Sequence, residues 1–239
     1  MDETSDEMVI ELYSEQPPIV NISYEVKVEI DGRTFDKTKI FSIVTDNQLC
    51  DLKFEIGKTA CGTITLEILK PSYKFAKMAR IIPWYRRNDE AGVGAWKKKG
   101  VYYIDTRKNE INGDNETLVI TGFDGMLKTS KDYGNLNLTY PATTKSVVQK
   151  IASLSGISVA SETLTLLDDG QTIPEPEYLT GREILEGIAA MYGGSFMMSS
   201  DGYLTLVDMA EVLAIEEAER LLATENWIPI EIGGVVIVV

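Results

Sequence analysis

The chain has 239 residues, 44% apolar and 25% charged, a globular composition long enough for one large domain or two small ones. It has no histidine, so it lacks the commonest general base near neutral pH and the commonest metal ligand. Its net charge of −14 disfavours general nucleic-acid binding, which depends on neutralising phosphates.

No run approaches the ~20 apolar residues of a membrane-spanning helix, and the acidic start MDETSDEMVIEL is unlike a secretory signal. The charge is uneven. Residues 1–70 carry 7 basic and 14 acidic side chains, residues 71–140 carry 12 and 8, and residues 141–239 carry 4 and 15. The two cysteines, Cys50 and Cys61, form no metal motif and read as free thiols of a reducing compartment.

Residues 8–70 alternate with the period of strands. Tyr24, Val26, Val28 and Ile30 fall on one face, with Glu25, Lys27 and Glu29 on the other, and Asp31-Gly32 is a turn signal. Further strands are expected over Thr38–Val44, Leu52–Ile56 and Thr63–Leu69, the last two joined through Gly57 and Gly62. Strands this short and closely spaced indicate an antiparallel barrel or sandwich. Over residues 71–95 Pro83 breaks an apolar run. Gly92-Val93-Gly94 followed by Lys97–Lys99 fits neither common phosphate-loop spacing and reads as a flexible loop.

The stretch Trp96–Met126 reads as two strands, Val101–Ile104 and Thr117–Thr121, around a turn at Asn109–Asn115. Gly122-Phe-Asp-Gly-Met126 closes it with a kink. Asp124 is the one acid expected to be special, a carboxylate that accepts backbone N–H groups and fixes the bend.

From Pro141 the period changes. Residues 141–144 cap a helix with Val147, Val148, Ile151 and Leu154 on one face, ended by Gly156. Leu164–Asp169 reads as a short strand or loop, Asp169-Gly170 as a turn, and Pro174 and Pro176 as an extended connection. Thr180-Gly-Arg-Glu183 is a capping box opening a second helix with Ile184, Leu185 and Ile188 buried. Gly193-Gly194 stops it before a hairpin, Ser195–Met198 and Tyr203–Val207. A third helix is expected over residues 209–223, then a strand pair around Gly233-Gly234.

No catalytic, cofactor-binding or metal-ligating set emerges. The adjacent carboxylates Glu175 and Glu177, Asp168 and Asp169, and Glu216 and Glu217 lie in surface-type segments rather than across a cleft, and no twelve-residue calcium loop is present. Ser195, Ser199 and Ser200 have neither a histidine nor a suitably spaced lysine. Tyr102, Tyr103, Trp84, Trp96 and Trp227 could stack on sugars, but packing is the stronger expectation for large rings.

Several stretches together resemble the hub, or tail-tip, proteins of tailed bacteriophages and prophages. They are "GVYYID" with "LVITGFDGM", where Gly125 stands in place of the family's alanine, then "FEIGKTACGTITLEIL", "TTKSVVQKIASLSGI" and "LTGREILEGIAAMYGGSFMMSSDGYLTLVDM". The resemblance covers nearly all of residues 20–210, and it is the order of these motifs that is specific. It implies a mainly β fold with an α+β insertion. Residues 1–140 would be an antiparallel tube-type β-barrel domain, 141–210 a small helix-helix-hairpin domain, and 211–239 the start of a second tube-type β domain. It further implies a non-enzymatic structural component of a virion tail, assembled in the bacterial host cytoplasm. That component would self-associate as a homotrimer and contact other tail tube and baseplate proteins, with no cofactor, no specific nucleic-acid binding and no membrane insertion. A tail-associated cell-wall hydrolase and a host carbohydrate-binding module are the alternatives. An acidic inner wall built from Glu25, Glu29, Asp51 and Glu55 is a further expectation, since acids repel a passing duplex.

Overall fold

The computed structural model describes residues 23–46, 56–59, 61–89, 92–113, 115–133 and 136–208, with the short strands 230–232 and 235–237. The expectations for Leu52–Glu55, the helix over 209–223, Asp51 and Trp227 lie outside the described residues.

The first part of the chain is mainly antiparallel β. Nine strands share one sheet: β1 (Ser23–Ile30), β2 (Arg33–Asp36), β3 (Ile40–Asp46), β4 (Thr63–Leu69), β5 (Arg80–Asp89), β6 (Gly92–Val93), β7 (Lys97–Lys98), β8 (Tyr102–Asn112) and β9 (Asn115–Asp124). The ladder runs β2-β1-β5-β8-β9-β4-β3, with β6 and β7 paired to β5. Among the described residues no ladder joins β2 to β3, so the curled sheet shows no closed barrel there. The expected alternation governs it. Val28, Ile30, Ile64, Leu66, Ile68, Ile81, Ile104 and Ile120 are fully buried on one face and form a core with Phe35, Phe75 and Tyr102. The turn at Asp31-Gly32 is present, with both residues at positive φ (50 and 75).

Pro83 does not break the strand. β5 runs through it, pairing Pro83 with Val28 on one side. On the other side β5 pairs with β8 at Arg80 and Ile81, and with β7 from Trp84 onward. Pro83 sits at that change of partner, where its carbonyl accepts from Lys99 N and its missing N–H costs no ladder bond. The expected loop at 92–99 is instead folded back on β5 as β6 and β7. The hairpin β8–β9 is longer than its polar residues suggest. Pairing extends to Asn112 and Asn115, so the turn narrows to its tip rather than spanning 109–115. β9 likewise runs through Gly122 to Asp124 before a 3₁₀-helix, Gly125–Thr129.

The second core begins at Met126, upstream of Pro141. It is built from β10 (Ala142–Thr143), α1 (Thr144–Ser155), β11 (Ser158–Val159), α2 (Ser161–Leu166), β12 (Thr172–Ile173), α3 (Gly181–Met191), β13 (Gly194–Met198) and β14 (Tyr203–Asp208). Thr143 caps α1 and Gly156 ends it in the left-handed region (φ 62). Leu154 is exposed, contrary to expectation, and Ala152 and Ser155 take the buried positions. The stretch entering Leu164–Asp169 is helix α2, not a strand or loop. Thr180 and Glu183 form the expected capping box, and Ile184, Leu185 and Ile188 are buried. β13 and β14 form the expected hairpin, with β11 parallel to β14. At the far end β15 (Ile230–Ile232) pairs with β16 (Val235–Ile237).

Candidate functional site

The interior face of the curled sheet is only partly filled. Beyond Val28 the same alternation continues to Val26 and Tyr24, and on β5 beyond Ile81 and Pro83 to Tyr85, Arg87 and Asp89. These residues, with Ile43 and Thr45 of β3, line a cavity of ≈570 Å³. The β6–β7 segment closes over one side and adds Lys97 and Lys99. Arg87 pairs with Asp89 at 3.1 Å, while among the described residues no carboxylate pairs with Lys97 or Lys99. An apolar lining with surplus cations suits an aromatic or acidic guest, and pockets of this volume are of binding-site size. It has no nucleophile–base pair of the kind covalent catalysis uses.

The opposite face of β1 and β5 carries a ladder of cations and rings. Glu25 accepts from Arg86 (2.7 and 3.2 Å) and Asn88 (2.8 Å). Those bonds, from Arg86 above all, hold the Glu25 carboxyl below its ordinary range. Arg86 and Lys27 lie over the ring of Trp96 (4.6 and 4.7 Å), and Lys27 and Lys98 over Trp84 (5.4 and 5.6 Å). Such stacking explains why bulky rings tolerate partial exposure here. Of the four residues of the acidic-wall expectation, Glu25 and Glu29 are described and Asp51 and Glu55 lie outside the described residues. Glu25 and Glu29 share their face with Lys27 and Arg86, and Glu25 is already paired.

Asp124 ends β9 and joins the two cores. Its carboxylate accepts from Gly62 N (2.8 Å), Met126 N (2.9 Å) and Cys61 Sγ (3.4 Å), so the bend-fixing role expected of it is present. Burial raises its pKa against the opposing pull of the two backbone bonds. Cys61 is a free thiol pushed up to about 12, first by burial and then by the Asp124 charge. Nearby, Gly57 N donates to Gly194 O, and Thr59 donates to Glu186 Oε1 from both N (3.3 Å) and Oγ1 (3.0 Å). Lys98 reaches Asp201 at 2.6 Å. These bonds tie the connection before β4, and the β7 segment, to α3 and the β13–β14 hairpin.

The other singled-out residues are dispersed. Tyr102 is buried in the first core, Tyr103 stacks under Lys128 (3.5 Å), and Trp84 and Trp96 share Lys27, the one pair of the aromatic set brought together among the described residues. Asp168 pairs with Lys145 (3.0 Å), and Asp169 accepts from Gln171 N and Tyr192 Oη. Glu175 and Glu177 are exposed on their loop. Ser195 is buried, and Ser199 Oγ accepts from Tyr203 N inside the hairpin turn. No group of three cysteine or acidic side chains is placed to hold a metal among the described residues. No described helix is long and apolar enough to cross a membrane. The cavity escaped sequence reading because its walls come from β1, β3, β5 and β6–β7; the one available signal was alternation continuing to Tyr24.

Neither family models nor curated proteins match the sequence. Solved structures do. The 43 kDa tail protein of prophage MuSo2 from Shewanella oneidensis superposes with a TM-score of 0.55 at 15% identity, covering 78% of this chain and 56% of that one. The chain has the fold of a prophage tail protein. A tail protein from Neisseria meningitidis MC58 is similar at TM-score 0.49 and 12% identity, covering 77% of this chain and 51% of that one. The fold comparison rests on the Shewanella protein. The chain spans about half the length of these tail proteins.

Proposed function

We propose that this chain is a structural component of a phage or prophage tail, forming a hub ring at the baseplate or tail tip that continues the tail tube. The observation that carries the reading is the shared fold with the Shewanella prophage tail protein over 78% of the chain. The ordered run of hub-like motifs from residue 20 to 210 supports it independently of that superposition. On this reading the curled sheet is a tube-type β domain, the second core is an inserted α+β unit, and three copies associate around the tail axis. Its partners are tail tube and baseplate proteins, its place is the virion tail, and it is assembled in the host cytoplasm.

The chain acts in this role by packing rather than by chemistry. Among the described residues Asp168 and Asp169 are engaged with neighbours, and Glu175 and Glu177 are exposed on their loop. The test is assembly. Purified chain, mixed with the tail tube protein of its own phage or prophage, should yield rings capping tube ends in electron micrographs. Antibodies against it should label one end of the tail. Label spread along the sheath or absent from particles would defeat the reading. A peptidoglycan lysis band abolished by a single carboxylate substitution would favour the hydrolase instead.

A further inference from the structure

The cavity and one exposed loop of the α+β region are complementary. Tyr178 is 94% exposed, and it stands at φ 58, a backbone conformation that side chains other than glycine adopt rarely. Strain of that kind persists where surrounding structure enforces it and is concentrated at functional positions. Pro174 and Pro176 fix backbone φ on the approach to Tyr178, so little order remains to be lost on binding. Glu175 and Glu177 precede Tyr178 and are exposed, and Leu179 after it is also exposed. The loop therefore presents two negative charges followed by an aromatic and an aliphatic side chain.

The cavity offers the converse. Val26, Ile43 and Tyr85 provide an apolar lining, and Arg87, Lys97 and Lys99 provide positive charge. Tyr178 does not line the cavity of its own chain and is exposed to solvent, where a second copy can reach it.

We propose that the Pro174–Leu179 loop of one copy docks into the β1–β3–β5 cavity of a second copy, with Tyr178 as the inserted ring and Glu175 and Glu177 against Lys97 and Lys99. The contact is heterologous: two different surfaces meet, and repeated around an axis such a contact closes a ring. This deepens the self-association proposed above and rests on it.

The test uses the full chain, by sedimentation velocity across a concentration series, with circular dichroism to check that each variant is folded. Wild-type chain should associate. Tyr178→Ala should raise the concentration of half-association roughly tenfold or more, as truncation of an anchoring aromatic does. Glu177→Lys and Lys97→Glu should each weaken association, and the double variant should recover much of the loss. Association unchanged by Tyr178→Ala, or a double variant no better than either single one, overturns the docking and leaves self-association standing. Wild-type chain that stays monomeric at every concentration overturns both.

Discussion

The two cores of this chain are built by different means. In the β region the buried side chains are almost all aliphatic or aromatic, supplied by strands far apart in sequence: β1 packs with β5, and β4 with β9. In the α+β region the core includes buried hydroxyls with backbone partners, two of them within a turn and one across to β14. Thr129 Oγ1 donates to Met126 O, Ser155 Oγ to Ile151 O, and Thr163 Oγ1 accepts from Leu206 N. One region is specified by alternation, in which a one-residue slip would expose every core residue. The other is specified by caps and pinned hydroxyls that fix local geometry. The lesson is that an alternating sheet can leave part of its interior unfilled without losing register.

The comparison predicts distinct responses to substitution. The largest effect should come from core truncation. Ile120→Ala in the β region and Leu185→Ala in the α+β region should each cost about 2–5 kcal/mol, since both side chains are fully buried. Urea unfolding followed by tryptophan fluorescence and by helical circular dichroism should show the first variant moving mainly the fluorescence transition and the second mainly the helical one. Coincident transitions in both variants would mean that the regions unfold as one unit, and the contrast would not extend to stability.

Smaller losses should follow at the joint. A Cβ on Gly57 would lie 2.7 Å from Ala190 Cβ, at a backbone φ of +81, so Gly57→Ala should cost roughly 1–3 kcal/mol through overpacking and pull the two transitions apart. Asp124→Asn replaces an acceptor facing a backbone N–H with a donor, a loss of about 1–3 kcal/mol. Its pH dependence carries a sign. The folded state holds the Asp124 proton more tightly than the ordinary value of 3.8. Its contribution is therefore greatest below pH 3.8 and falls as pH rises through the folded pKa. Glu25, held below 4.5, contributes in the opposite direction, with stability present above 4.5 and lost as pH falls through its folded pKa. Melting temperatures against pH should show Asp124→Asn removing the first slope and Glu25→Gln the second. The smallest effect belongs to Thr180→Ala, about 1 kcal/mol from loss of the capping box, read in the helical signal alone.

The parts of the fold legible in the sequence were those with local causes. The alternation of Tyr24–Ile30, the Asp31-Gly32 turn, the Thr180–Glu183 box and the Gly156 terminus each act within a few residues. Asp124 was legible for the same reason, as a carboxylate between two glycines within reach of backbone N–H groups. What was misread depends on distant partners. Pro83 sits inside a strand because β8 gives way to β7 at that point, which nothing near Pro83 announces. Asn109–Asn112 kept pairing because β9 supplied a ladder that outweighed the turn preference of asparagine. Helix α2 is six residues long, too short for a helical period to emerge. The second core starts at Met126 because the 3₁₀-helix after Asp124 packs under α1 and α3, while the sequence period changes only at Pro141. The cavity and its cations emerge only when β1, β3, β5 and the β6–β7 segment are brought together.

The thiol of Cys61 gives the joint a clock. Only a thiolate alkylates, and this one is kept protonated by burial and by Asp124. At neutral pH the closed state should be almost inert to iodoacetamide, and reaction should wait for moments when the carboxylate and thiol separate. In a chain with Cys50→Ser, the labelling rate divided by that of an unhindered thiol would report the fraction of time the joint stands open. That rate could be followed in a free subunit and again in an assembled tail, with Cys61 itself left unaltered.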